Sequence, residues 1–214
     1  MVMIDPGHGG DNTGALGICG IHEKNITLPI AQHLAKILRY TGRVKPWLTR
    51  NDDRDLNLDE RAVLAHRMNA SALVSIHANT AENEHAQGVE IYFLSLDANQ
   101  RKREVRAAKD QSTTLQKILD ANTINSQHRA SQQLGFLMHT ALKPWIRTTN
   151  TGLRQESMAL LKKTNVPAVL VEIGFLSNPT ECVALQKAIR QHEIAQAMAV
   201  GILRFIAAHV PMPP

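Results

Sequence analysis

His8, Glu23, His77 and Glu172 lie far apart in this 214-residue chain, yet their types would suit one hydrolytic metal site. His8 follows the apolar run Val2-Met3-Ile4, in the stretch Asp5-Pro6-Gly7-His8-Gly9-Gly10. Glycines there let the backbone turn sharply and approach a ligand with no Cβ in the way. A glycine-rich turn between strand and helix can also cradle phosphate. Here the dinucleotide pattern fails, because Gly7 and Gly9 are followed by Asn12. The P-loop pattern fails too, because Ala15-Leu16 stands where lysine and a hydroxyl residue are needed. What remains is a histidine held at a strand end, with Glu23 downstream.

Two histidines and one carboxylate can hold zinc tetrahedrally and leave the fourth position to water. The ion lowers the pKa of that water and polarises a carbonyl, which suits attack on an amide. A further carboxylate must take the proton and pass it to the leaving nitrogen. Glu172 suits that role, since its apolar neighbours Val171 and Ile173 disfavour the charged form while a nearby dication favours it. Spacing leaves two choices open. His22 beside Glu23 is an equally placed ligand, and Glu90 is flanked much like Glu172. Plainer uses compete as well: His8 and His77 as capping residues, Glu23 as a helix-start carboxylate favoured by the macrodipole, Glu172 as half of a buried salt bridge. The remaining histidines (33, 66, 85, 128, 139, 192 and 209) read mostly as surface residues.

Positioning these groups requires a scaffold, and hydrophobic periodicity outlines one. A helix is expected from residue 25 or 27 to 40, with Ile26, Ile30, Leu34, Ile37 and Leu38 at helical spacing and Gly42 closing it. Pro29 favours the later start, which puts proline in the tolerated first turn. A strand follows over 44–49, at an edge because of Pro46. Asn57 and Glu60 resemble a capping pair ahead of a second helix that turns Leu58, Ala62, Ala65 and Met68 inward. Residues 72–76 read as a buried strand ending on His77, parallel to the first, and residues 88–94 as another strand. Residues 97–125 are polar and charged, and read as a partly helical surface insertion. A helix is expected over 126–142, a short strand over 158–161 and a buried strand over 168–173. Asn178-Pro179-Thr180-Glu181 carries the cap, proline and acid of a helix start, and a final helix bears Ile194, Met198, Ile202, Phe205 and Ile206. Strands alternating with helices indicate an α/β fold: a single domain over 1–210, a twisted, mostly parallel sheet with helices on both faces, and a tail at 211–214. Such sheets deliver functional groups at the carboxyl ends of their strands, which would gather the four candidates on one rim.

Composition narrows the partners. Hydrophobic content of 43% and charged content of 20% describe an ordinary globular chain, and aromatics at 4% make its core aliphatic. The net charge of +5 suits an anionic partner, and without basic runs interleaved with aromatics nucleic acid is not expected. No stretch is apolar for long enough to span a bilayer, and no export signal precedes the first strand. Cys19 and Cys182 form no C-x-x-C and could pair or stay reduced, so they leave the compartment open.

Several short motifs occur in one order along the chain: Ile4-Asp5-Pro6-Gly7-His8-Gly9-Gly10, Glu23-Lys24, Leu48-Thr49-Arg50, Ser75-Ile76-His77-Ala78-Asn79, and Val171-Glu172-Ile173-Gly174-Phe175-Leu176-Ser177-Asn178-Pro179. Together they resemble the zinc-dependent N-acetylmuramoyl-L-alanine amidases of bacterial cell walls, the Amidase_3 type. The resemblance implies that His8, Glu23 and His77 bind one zinc ion and that Glu172 is the catalytic carboxylate, which selects Glu23 over His22 and Glu172 over Glu90. It implies a peptidoglycan substrate, the amide between N-acetylmuramic acid and the L-alanine of the stem peptide. It also implies a monomer of the cell envelope, periplasmic or extracellular, and makes Asn79 a candidate substrate contact. Some relatives carry an inhibitory helix near the insertion, so residues 97–125 could gate the cleft, with Glu104 reaching toward the metal until an activator protein intervenes. A loosely ordered surface helix is the preferred reading of that segment. A zinc peptidase or deacetylase on the same architecture, or a wall-binding module without catalysis, are the alternatives.

Overall fold

The computed structural model describes residues 1–95, 114–143 and 152–209. The chain's most apolar segments form the middle of a sheet. Strand β1 (Val2–Pro6) is buried at every position and pairs in parallel with β2 (Pro46–Leu48) on one side and β3 (Ala72–Asn79) on the other. Strand β6 (Ala168–Phe175) runs parallel to β3. Strand β4 (Glu90–Leu94) lies antiparallel to β6 and carries β5 (Gly152–Glu156) parallel to itself at the far edge. The order is therefore β2-β1-β3-β6-β4-β5, with the most buried strands inside, the three-residue β2 at one edge and the polar β5 at the other.

Alternation along the strands decides what each face does. Val2, Ile4, Val74, Ile76, Val169 and Val171 join the larger core with helices α1 (Lys24–Thr41), α3 (Thr114–Leu142) and α6 (Ala188–His209). The intervening residues Met3, Leu73 and Leu170 face a smaller core with α2 (Leu58–Arg67) and α4 (Ala159–Lys163). A short helix, α5 (Pro179–Leu185), follows β6. Toward the carboxyl ends this thinner face changes character at every second residue, from Met3 to Asp5, from Leu73 to Ser75 and His77, and from Leu170 to Glu172. The functional groups thus occupy the lightly covered side of the sheet.

Local signals held where the chemistry is local. The Asn57 side chain accepts from the backbone N–H groups of Asp59 and Glu60, and Glu60 returns a bond to Asn57 N, a full capping box that contributes about 1 kcal/mol. Asn178 caps α5 in the same way, with Pro179 in the first turn.

Several expectations are corrected. Helix α1 starts at Lys24 rather than at residue 25 or 27, and Pro29 lies inside it, because the N–H groups of Ile26 and Thr27 bond to the Glu23 carbonyl and the helix begins at that residue. Leu58 is 42% exposed, and Arg61 takes the buried place beside Ala62 and Ala65. The short strand expected over 158–161 is instead helix α4 (Ala159–Lys163), which buries Leu160 and Leu161 in the smaller core. The polar strand β5 went unread. Residues 114–125 belong to α3, so the helix expected from residue 126 begins earlier, and Ile124 in it is buried. Residues 97–113, with Glu104, and the tail at 211–214 lie outside the described residues. Among the described residues no helix is long and apolar enough to cross a membrane.

The two cysteines are paired. Cys19, in the loop before Glu23, bridges to the fully buried Cys182 on α5 across a sequence separation of 163. Closing so long a loop restricts the unfolded chain strongly, so Cys182→Ser should lower the unfolding free energy by about 3 kcal/mol. Chemical denaturation checks this. Reduction should shift the wild-type midpoint down to that of the variant and leave the variant unmoved, whereas equal midpoints in all four samples would show the bridge to be idle.

Candidate metal centre

Glu23 stands at the centre of the site and is itself buried. Its Oε2 lies 2.9 Å from His8 Nε2 and its Oε1 2.9 Å from His77 Nδ1. The backbone N–H groups of Ala15 and Ala78 donate to the same two oxygens, at 3.1 and 3.0 Å, and so fix the carboxylate plane. One ligand atom from each of His8, Glu23 and His77 falls within 4.8 Å of the others, a set able to hold a metal ion. His22, the alternative to Glu23, is not in this group.

The approach of the three depends on glycine at two places. A Cβ on Gly7 would lie 2.3 Å from the His77 ring. One on Gly14 would lie 2.6 Å from both Glu23 Oε2 and His8 Cδ2, and Gly14 also has φ +66°, which side chains rarely adopt. His8 itself sits at φ 60°, a conformation that costs a non-glycine residue about 1 kcal/mol or more and persists only when its surroundings impose it. Those surroundings are visible. Arg61 Nη2 donates to the His8 carbonyl at 2.8 Å, and the Gly9 and Asn12 backbones bond to each other, at 2.8 and 3.1 Å. His8 Nδ1 is 2.8 Å from Asn12 Oδ1. An amide oxygen only accepts, so Nδ1 carries the proton and Nε2 is the nitrogen turned toward Glu23.

Beneath the loop lies a buried polar frame. Asp5 accepts from Arg61 Nη1 at 2.7 Å, from Thr49 Oγ1 at 2.6 Å and from Ser75 Oγ at 2.7 Å. Arg61 Nη1 and Arg50 Nε donate to the Pro6 carbonyl, and Arg50 Nη2 to that of Gly7, at 2.8, 3.0 and 2.8 Å. The frame holds three consecutive carbonyls of the metal loop, and it gives Thr49-Arg50 a reason to be there.

Glu172 stands opposite His77 in the parallel register and opposite Glu90 in the antiparallel one. The two carboxylates, inseparable by sequence, differ sharply in company. Glu90 accepts from Arg154, Asn79 and Tyr92, at 2.7, 2.9 and 2.6 Å. Glu172 Oε2 is buried with no partner. Burial pushes the Glu172 carboxyl up to about 7, with the Glu23 and Glu90 charges adding to the rise and His77 opposing it. Burial acts on Glu23 in the same sense, but hydrogen bonds from His77 and His8 outweigh it and hold that carboxyl well below the usual range. Burial pulls the His77 imidazole down, the Glu23 hydrogen bond and the Glu172 charge more than offset it, and the net shift is upward. Asn79 has both ends of its amide engaged, with Glu90 and with Thr80 N. A cleft of 450 Å³ opens onto His8 and His77, with Asn12, Asp55, Asn57, Arg61 and Met158 among its walls.

Residues 2–204 match the N-acetylmuramoyl-L-alanine amidase family, Amidase_3. The chain belongs to this family of hydrolases. It is 33% identical to the N-acetylmuramoyl-L-alanine amidase AmiA of Escherichia coli over 219 residues, 96% of this chain and 75% of that protein. The catalytic domain of CwlV, an amidase from Bacillus (Paenibacillus) polymyxa var. colistinus, superimposes with a TM-score of 0.75 at 30% identity, covering 96% of this chain and 97% of that one. The CwlD amidase of Clostridioides difficile, solved in complex with the GerS lipoprotein, gives a TM-score of 0.75 at 27% identity over 97% of this chain and 98% of that one.

Asn12, Asp5, Arg50 and Arg61 escaped the sequence reading as site residues. A signal for the first frame member was present, since Asp5 is an acid in an otherwise apolar strand and needs a buried partner. Nothing local marks Asn12.

Proposed function

We propose that this chain is a zinc-dependent amidase that hydrolyses the bond between N-acetylmuramic acid and the L-alanine of peptidoglycan stem peptides. The observation that carries the reading is the convergence of His8, Glu23 and His77 near Glu172, whose Oε2 is buried without a partner. Two imidazoles and a carboxylate are a zinc donor set, and Asn12 orients one of them from behind as such sites require. His8 would bind through Nε2 and His77 through Nδ1, with Glu23 as third ligand. The ion, when bound, supplies a Lewis acid for the scissile carbonyl and acidifies the attacking water.

Glu172 does the proton work. Its unpartnered oxygen takes the proton from the attacking water and returns it to the departing nitrogen of alanine. A carboxyl near neutrality is suited to both halves of that exchange. The disulfide fits an oxidising compartment, so we assign the protein to the cell envelope, outside the cytoplasm.

Digestion of purified wall tests the reading. The zinc-loaded enzyme should release stem peptides with new L-alanine amino termini and no new reducing sugar ends. Chelation should stop the release and zinc restore it, and His77→Ala should lose the metal. Peptides beginning elsewhere would point to a peptidase, loss of acetyl groups alone to a deacetylase, and release that persists in chelator would remove zinc from the account.

A further inference from the structure

A second groove, of 760 Å³, lies along the β2 edge of the sheet, away from the metal cluster. Its lining includes Lys36, Arg39, Arg50 and Arg54, with Gln32 and Asn51, and no carboxylate. Lys36 and Arg39 stand three apart on the outer face of α1, exposed, and neither pairs with an acid among the described residues. Trp47, on the edge strand β2, lines the same groove and is 42% exposed, one of only two tryptophans in the chain. A half-exposed indole in the same groove as two cations that meet no acid among the described residues marks a binding surface rather than core. Sugar rings present a flat face of C–H bonds that an indole covers, and the cations suit carboxylates carried next to the sugars.

The groove is tied to the metal loop. Trp47 is level with Met3 in the β1–β2 register, and Gly7 is four residues further along, about 13 Å at the rise of a strand. Arg50 lines the groove and also donates to the Gly7 carbonyl. The loop over residues 51–55 contributes Asn51 and Arg54 to the groove and Asp55 to the cleft. Groove and cleft therefore flank one loop.

We propose that this groove is a polymer-binding site that grips the peptidoglycan strand beyond the muramoyl unit being cut, with Trp47 stacked on a sugar and Lys36 and Arg39 paired with stem-peptide carboxylates. The inference rests on the wall-amidase reading. It makes a division of labour: the cleft handles any muramoyl-peptide, and the groove acts only on substrates long enough to reach it.

The test compares Trp47→Ala and Lys36→Glu/Arg39→Glu with a control of equal charge change, Lys187→Glu/Arg204→Glu, whose sites are exposed elsewhere. Binding is read by cosedimentation with wall stripped of teichoic acid and protein, in a Glu172→Gln background. Turnover is read separately on a soluble muramoyl-peptide monomer and on whole wall. Both groove variants should bind wall about tenfold more weakly and digest it correspondingly slowly, while monomer turnover and the control stay at wild-type values. Added salt should reduce the difference between wild type and the charge-reversal variant. Equal sedimentation of wild type and groove variants would overturn the proposal, as would an equal loss in the control, which would make the effect one of net charge. Tighter binding of the groove to single-stranded nucleic acid than to wall would assign it another polymer and also overturn it. Failure of the wild type to cleave the monomer would instead sink the amidase reading, and the sedimentation result would stand apart from it.

Discussion

Glu172→Gln should keep its zinc and lose about 10³-fold in turnover. The substitution preserves shape and leaves His8, Glu23 and His77 untouched, so metal content measured on the purified variant should equal that of wild type. What disappears is the buried, unpartnered carboxylate oxygen to which the proposal gives the proton transfer from water to nitrogen. The same change at Glu90 would act differently, because that carboxylate already accepts from Arg154, Asn79 and Tyr92. A Glu172→Gln enzyme that digests wall at the wild-type rate would remove this residue from the chemistry.

The same variant has a second reading in the metal-free protein. The Glu172 carboxyl, ordinarily near 4.5, is pushed up to about 7 by burial. The folded chain therefore holds a proton that the unfolded chain has released, and stability falls as pH rises from about 5 to 7. His77, shifted upward from 6.5, contributes in the same direction over a higher window, and its share is lost as pH rises through its folded value. Glu23 works oppositely: its stabilisation is present above 4.5 and disappears only in strong acid. Denaturation of metal-free Glu172→Gln across these windows should show the fall between 5 and 7 flattened and the later one reduced, because His77 loses the Glu172 charge that helps to raise it. Metal reverses the local logic, since a dication beside Glu172 favours its charged form.

Three of the four candidate residues stand out in the sequence because each is an anomaly in its surroundings, and Glu23 does not. His77 and Glu172 interrupt apolar strands, His8 stands among glycines, and burial makes such exceptions costly unless they serve something. Choosing Glu23 over His22, and Glu172 over Glu90, required more than spacing. The second choice turns on Arg154, which sits on an edge strand too polar to show alternation and reaches Glu90 from outside the core. The start of α1 was misread for a related reason. Pro29 argues locally for a later start, but Glu23 is fixed by two histidines and two backbone donors, and the helix must begin there. Helix α4 failed on length: five residues show too little of a 3.6-residue period to be told from a strand. The disulfide is a fact of tertiary proximity, and nothing near either cysteine announces it.

Arg61 is where fold and site are least separable, and Arg61→Met should expose this. The guanidinium is 3% exposed and faces Asp5, itself 1% exposed, at 2.7 Å. Removing one partner of a buried pair leaves a charge without compensation, so the variant should lose about 3–5 kcal/mol in denaturant unfolding. Asp5→Asn/Arg61→Met removes the stranded charge while an amide still meets Thr49 and Ser75, and most of that stability should return. Zinc affinity should not return with it. Arg61 also holds the carbonyls of Leu56, Pro6 and His8, and His8 sits at a positive φ that it does not adopt unaided. Both the single and the double variant should therefore bind zinc about tenfold more weakly by competition with a chelator. Recovery of affinity together with stability would mean that Arg61 serves only the fold. A stable double variant with weakened affinity would separate the two duties, and would explain why an arginine occupies an inward position of α2 that a smaller apolar side chain could otherwise fill.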